Sequence, residues 1–262
     1  MRLEVITQKP ASVTRSAPIL FVHGMWHGAW CWAEHFLPYF SQHGYSAHAL
    51  SLRGHGESGG GDRLRWASLD DYVSDVVEVA GRFERPPILV GHSMGGMIVQ
   101  KYLESHKAPA AVLMASVPPG GIIPATGRIL LLHPLRVLKA NLTLSLLPVV
   151  DTPQMVREMF FSPDIADEKV SECFVRLQDE SYRVYLDMLG LNLPKLNGIG
   201  LPLLVLGAEN DRIISVKEVV ATAHRYGVEA EIFPDMAHNM ILESGWQKVA
   251  DRILSWLDQQ GL

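Results

Sequence analysis

The sequence predicts an α/β fold: a mostly parallel central sheet flanked by helices, interrupted in its second half by one large helical insertion. Three observations predict it. Short apolar runs that stop at glycine alternate with amphipathic helical patterns as far as Ala115. The alternation lapses near Gly120 and resumes at Leu201. The length, 262 residues, is generous for one minimal domain and short for two.

The strands are expected at Pro18–Gly24, Tyr45–Leu52, Pro87–Gly91 and Ala110–Ala115. Their near-continuous apolar character suits strands buried on both faces, as in a parallel sheet. Between them, Leu69, Tyr72, Val73, Val76, Ala80 and Phe83 recur at helical spacing, with Asp70, Asp71, Asp75 and Glu78 opposite and Ser68 as N-cap. Strand and helix in alternation imply right-handed crossovers. From Gly120 to Leu196 there is no strand-like run. Leu- and Met-rich helical pieces take over, including Met155–Phe161, Asp167–Gln178 and Tyr182–Leu189, and prolines punctuate them. The sheet pattern returns at Leu201–Gly207, then a helix over Val216–Tyr226, a strand over Glu229–Phe233, and a closing helix marked by Trp246, Val249, Ala250, Ile253 and Leu257. Residues 1–119 and 197–262 thus form the expected core, and residues 120–196 a helical cap, too long for an ordinary connection.

Composition excludes several function classes. The formal net charge of −5 offers no basic field for nucleic acid. Cys31 and Cys173 are too few for a disulfide framework, so a reducing compartment, the cytoplasm, is expected. The first residues carry Arg2 and Glu4 and no apolar core, unlike a secretory signal. The greasiest stretch, Ile129–Val150, is broken by His133, Pro134, Arg136 and Lys139, so no stable membrane insertion is expected. A monomer or homodimer fits these features.

The sharpest motif is Gly91-His92-Ser93-Met94-Gly95-Gly96, a G-x-S-x-G between an expected strand and an expected helix. A serine in so tight a turn takes a strained backbone, tolerable where flanking glycines let chains approach. Its hydroxyl then stands at a helix N-terminus, where free N–H groups favour developing negative charge. A serine needs a base, and the base an orienting group. Of the downstream histidines, His106 ends the serine's own helix, His133 lies in the insertion and His224 on an amphipathic helix. His238, in a loop after the last strand, is the candidate base. Asp211, in the loop after Leu203–Leu206, is the candidate acid, with Glu209 a near rival and Asp235 a distant one. The oxyanion donors expected are the backbone N–H groups of Met94 and, from the loop His23-Gly24-Met25-Trp26, of Met25. Trp26, His27, Met97 and Met240 adjoin these positions and are candidates to line an apolar pocket.

On these motifs the sequence resembles the α/β-hydrolase superfamily. Arg53-Gly54-His55-Gly56-Glu57-Ser58, Gly207–Asp211 and Ala237-His238 stand beside the serine motif where that family has its landmarks. The resemblance implies an α/β-hydrolase fold with the cap inserted after the sixth strand, a serine esterase activity and no cofactor. His23–Trp30 resembles the methyl esterase and hydroxynitrile lyase branch. Gly24 and Asn239 stand where such lyases have threonine and lysine, which argues against a lyase. The Arg53–Ser58 motif resembles general esterases, lysophospholipases and monoacylglycerol lipases.

Two decoys are weaker. Gly54–Gly59 matches G-x-G-x-x-G, yet the next helix starts near Ser68, too late to meet a pyrophosphate. His23 and His27 lie four apart on a glycine-containing loop without the glutamate of a zinc helix, so no metal is expected. The expected activity is cleavage of small apolar carboxylic esters through an acyl-enzyme. Thioesterase, C–C hydrolase or perhydrolase chemistry on the same residues, and a hydrolase-fold ligand receptor, are the alternatives. The Leu130–Leu147 stretch is expected to cover the serine, and a variant reading rests Arg128, Arg136 and Lys139 on a membrane surface.

Overall fold

The computed structural model describes residues 1–12, 14–195 and 200–262. Among these residues seven strands form one sheet: β1 (Val5–Gln8), β2 (Ile19–Val22), β3 (Ala47–Leu50), β4 (Ile88–His92), β5 (Ala111–Met114), β6 (Leu203–Ala208) and β7 (Ala230–Phe233). Their spatial order is β1-β3-β2-β4-β5-β6-β7. Among the described strands only β1 runs antiparallel, pairing Val5 with Leu50. The central strands β2 to β6 are wholly buried, which accounts for their continuous apolar sequence. Edge strand β1 is half exposed and polar at its end, and no sequence pattern marked it.

Alternate strand residues feed two cores. Ile19, Phe21, Val90, Val112 and Leu206 face α1 (Trp30–Ala33), α2 (Phe36–Gln42) and the closing helix, through Trp32, Phe36, Phe40, Ile253 and Leu257. Leu20, Val22, Leu89, Leu113 and Val205 face the opposite way, onto Tyr72 and Val76 of α3 (Leu69–Ala80) and Ile98 and Val99 of α4 (Met94–Tyr102). Ser68 caps α3, accepting from the Asp71 N–H while the Asp71 carboxylate accepts from the Ser68 N–H, so the start expected from sequence has a physical stop behind it.

The insertion between β5 and β6 contains α5 (Ile123–Leu132), α6 (Pro134–Thr143), α7 (Pro153–Phe160), α8 (Asp167–Phe174) and α9 (Tyr182–Leu186), the last running on through Leu191 as a wider turn. Proline at the start of α5, α6 and α7 fits the first turn, where no N–H is required. The expected count of strands before the insertion needs correction. Five precede it among the described residues, not six. No strand pairs outside edge strand β1 among the described residues, so the count implied by resemblance is one too high. The expected boundary at 196/197 lies outside the described residues. After β6, α10 (Val216–Arg225) leads to β7, and α11 (Trp246–Gln259) closes the chain. Among the described residues no helix is long and apolar enough to cross a membrane.

Candidate active site

Ser93 joins β4 to α4 with φ 54° and ψ −119°, a backbone conformation costly for any side-chain-bearing residue. The surroundings enforce it. Its N–H donates to the Met114 carbonyl of β5 at 3.0 Å, and its carbonyl accepts from Gly96 and Val117, each at 3.0 Å. Crowding explains the glycines. A Cβ on Gly91 would fall 2.5 Å from the Gly95 carbonyl oxygen, and one on Gly95 would fall 2.2 Å from that of Val22.

The ends of three strands bring distant residues together. Ser93 Oγ lies 3.0 Å from His238 Nε2, and His238 Nδ1 lies 2.7 Å from Asp211 Oδ2. The second carboxylate oxygen of Asp211 accepts from the N–H groups of Ile213 and Ile214 at 2.7 and 2.8 Å, which fixes the carboxyl plane. All three side chains are buried. Glu209 and Asp235, the rival acids, are exposed and meet each other instead, Glu209 accepting from the Asp235 N–H.

The loop after β2 packs against the serine: a Cβ on Gly24 would lie 3.0 Å from Ser93 Cβ. The N–H groups of Met25 and Met94 donate to no acceptor among the described residues. Trp26, next along, has φ 64° and is held from both sides by the insertion. Its carbonyl accepts from the Gln178 N–H at 3.0 Å, and its N–H points to Glu180 Oε2 at 3.4 Å. Glu180 is buried and also accepts from the Tyr72 hydroxyl and the Ser181 N–H, each at 2.6 Å. His55 Nε2 stands 3.3 Å from it. Burial opposes charge on His55, but the neighbouring Glu180 carboxylate lifts its pKa above the ordinary value. The Arg53–Ser58 motif thereby meets the loop after β2 through one acid of the insertion. Sequence reasoning missed Glu180. It sits between Asp179 and Ser181, and nothing in that local pattern separates it from a surface charge.

Three more histidines frame the site, all kept neutral. Burial depresses the pKa of His27 to about 4 and those of His23 and His92 well below the usual value. His92 Nε2–H donates to the His238 carbonyl at 2.8 Å, fixing the height of that loop. His27 Nδ1–H donates to the Met25 carbonyl at 2.7 Å, and its Nε2 accepts from Asn239 at 3.2 Å. Glu243, whose carboxyl pKa burial pushes up, accepts from both the N–H and the hydroxyl of Ser162, so a core residue anchors the insertion just past α7.

A narrow, almost wholly apolar cavity of about 70 Å³ has Ser93 in its wall. Met25, Trp26, Ile213 and Ile214 contribute from the core; Ala125, Ile129, Val137, Ala140 and Leu146 contribute from the insertion. Of the four expected pocket residues only Trp26 lines it. His27 is turned away, stacked on Trp30 and edged against Phe160. Met97, one turn into α4, packs into the core on the α3 side of the sheet. Met240 is buried in the other core. Closeness along the chain to a site residue does not carry a side chain to the same side of the backbone.

A family model described as alpha/beta hydrolase family matches residues 19–252, which spans every element named above except β1 and the end of α11. The chain belongs to the alpha/beta hydrolase family. Among hydrolase relatives, it is 26% identical to a monoacylglycerol lipase of Mycolicibacterium smegmatis over 86% of this chain and 82% of that one. It is 34% identical to methylesterase 18 of Arabidopsis thaliana over a shorter stretch, 40% of this chain and 41% of that protein. Among solved structures, an esterase from Exiguobacterium antarcticum superposes with a TM-score of 0.74 at 18% identity, covering 98% and 95% of the two chains, a likeness of fold.

Proposed function

We propose that this hydrolase is a serine carboxylesterase acting on esters with slender apolar acyl or alcohol groups. The observation that carries the reading is the relay Ser93–His238–Asp211, with contacts of 3.0 and 2.7 Å, opening on an apolar cavity. The lipase and esterase relatives support it.

In this mechanism Ser93 Oγ attacks the ester carbonyl while His238 Nε2 takes its proton. Asp211 accepts the Nδ1–H, holds the required tautomer and stabilises the imidazolium. The N–H groups of Met25 and Met94 bind the oxyanion of the tetrahedral intermediate; one such donor is worth about 3 kcal/mol. Collapse expels the alcohol, protonated by His238, and leaves the acyl group on Ser93. Water, deprotonated by His238, then attacks; the carboxylic acid departs and Ser93 recovers its proton. The chemistry requires no cofactor. The narrowness of the cavity supports short to medium, unbranched substrates.

The test is steady-state hydrolysis of p-nitrophenyl esters across acyl lengths, beside acyl-CoA thioesters, for wild type and Ser93→Ala. Turnover of the shorter esters, lost in the variant, is expected. Equal turnover in both proteins removes the nucleophile assignment, and preference for the thioesters replaces the ester by a thioester substrate.

A further inference from the structure

The α5–α6 hairpin is apolar on two sides. Ile129, Val137 and Ala140 point into the cavity, and between them Leu131, Leu135 and Leu142 are 85%, 78% and 76% exposed. Leu135, Leu138 and Leu142 recur at helical spacing, so they form one outward stripe along α6, with Leu130–Leu132 beside it on α5. A soluble chain rarely leaves so many neighbouring leucines in water without a partner. The charge pattern says which partner. Residues 121–150 contain Arg128, His133, Arg136 and Lys139 and no carboxylate, in a chain whose formal net charge is −5. Arg128 meets Glu218 at 2.6 Å, His133 meets Glu158 at 2.9 Å, and Arg136 meets Asp151. Lys139, 61% exposed, donates to the same Asp151 at 3.4 Å, so two cations share one carboxylate beside the leucine stripe.

We propose that the outer face of this hairpin docks on a phospholipid bilayer surface, with Leu131, Leu135 and Leu142 entering the acyl boundary and Lys139 at the headgroups. A leucine stripe whose own segment holds cations and no carboxylate, with Arg136 and Lys139 sharing the single charge of Asp151, suits that boundary. The proposal rests on the esterase reading in one respect: apolar esters partition into lipid, and the hairpin's inner face lines the cavity that would receive them. A second copy of the chain on the same leucines would seal the hairpin away from that phase.

The experiment uses the full chain carrying Ser93→Ala, so that binding is measured without turnover, against vesicles of mixed phosphatidylcholine and phosphatidylglycerol. Cosedimentation is expected. A Leu131→Asp/Leu135→Asp/Leu142→Asp variant is expected to lower partitioning by at least about a hundredfold. With Ser93 intact, the same triple variant is expected to hydrolyse a short soluble p-nitrophenyl ester as wild type does. Leu135→Ser, read the same way, carries the test where the triple variant does not fold. Lys139→Glu is expected to weaken binding to phosphatidylglycerol-containing vesicles more than to pure phosphatidylcholine. No vesicle binding by Ser93→Ala protein, or equal binding by the leucine variants, overturns the proposal. So does a dimer that the leucine substitutions split while vesicle binding is absent. Vesicle binding with no ester turnover by wild type leaves the docking surface standing and removes the esterase reading instead.

Discussion

Asp211 and Glu209 differ by two positions along one loop, yet only Asp211 has its carboxylate locked by two N–H groups and turned to His238. Asp211→Asn is therefore expected to lower kcat by roughly 10⁴-fold, as the wrong tautomer of His238 becomes favoured. Glu209→Gln is expected to leave kcat unchanged; equal losses in the two variants would show that the loop, rather than the carboxylate, matters. The order serine, acid, histidine was legible because each follows a recognisable strand. The pocket was not, because Met97 and Met240 differ from Trp26 only in the direction their side chains leave the backbone. Residue-scale burial also sets a pH dependence. His27 binds a proton only below about pH 4 when folded but near pH 6.5 when unfolded. The unfolded chain thus holds more protons between those values, and folding stability falls as pH drops through that window. Buried His23 and His92 add to the same loss, whereas His55, with its raised pKa, favours the folded state below pH 6.5 and loses that contribution as pH rises. Thermal midpoints measured between pH 7 and pH 4 are expected to decline, and His27→Gln to flatten that decline; an unaltered slope would show that His27 does not titrate on unfolding.

At the scale of elements, the turn from β4 into α4 and the loop after β2 press on each other through Gly95 and Gly24. The G-x-S-x-G pattern announces the first of these, because the glycines are a local steric requirement. Nothing local announces what holds the second. Trp26 keeps a left-handed backbone because residues 178 and 180 of the insertion bond its carbonyl and N–H. Glu180→Gln is expected to reduce kcat roughly tenfold, since the Met25 N–H would lose its aim when the Trp26 backbone relaxes. Glu180→Ala, which strands buried His55 and Tyr72, is expected to cost about 3–5 kcal/mol of stability in denaturant titrations. A Glu180→Gln enzyme with wild-type kcat would mean that Trp26 holds its conformation unaided. Strand β1 went unread for a related reason: a half-exposed edge strand of four residues carries too little alternation to be distinguished from a loop.

Across the whole molecule, the insertion is tied down more firmly at its later end than at its beginning. Buried Asp187 accepts from the Leu69 N–H, the first of α3, at 2.9 Å, and from Arg183 Nε at the same distance. Glu180 and Glu243 make two further buried links between insertion and core. The α5–α6 hairpin has mostly exposed leucines and is tied to the core through partly exposed Arg128, which meets Glu218 and the Ile213 carbonyl. Native-state hydrogen exchange is expected to show α5 and α6 opening well below the global unfolding free energy, while Val184 and its neighbours exchange only with the core. Uniform protection across the insertion would contradict this division. The alternation of strands and helices and the long helical interruption were visible in the sequence. These cross-links were not, since each joins residues 80 to 120 positions apart with no shared pattern. The carboxylate of Asp187 also has a practical meaning for chimaeras. A transplant of another family member's lid that stops before residues 178–187 preserves the acceptors for Leu69, Tyr72 and Trp26. One that replaces them leaves those groups orphaned inside the recipient, whatever the new lid's own quality.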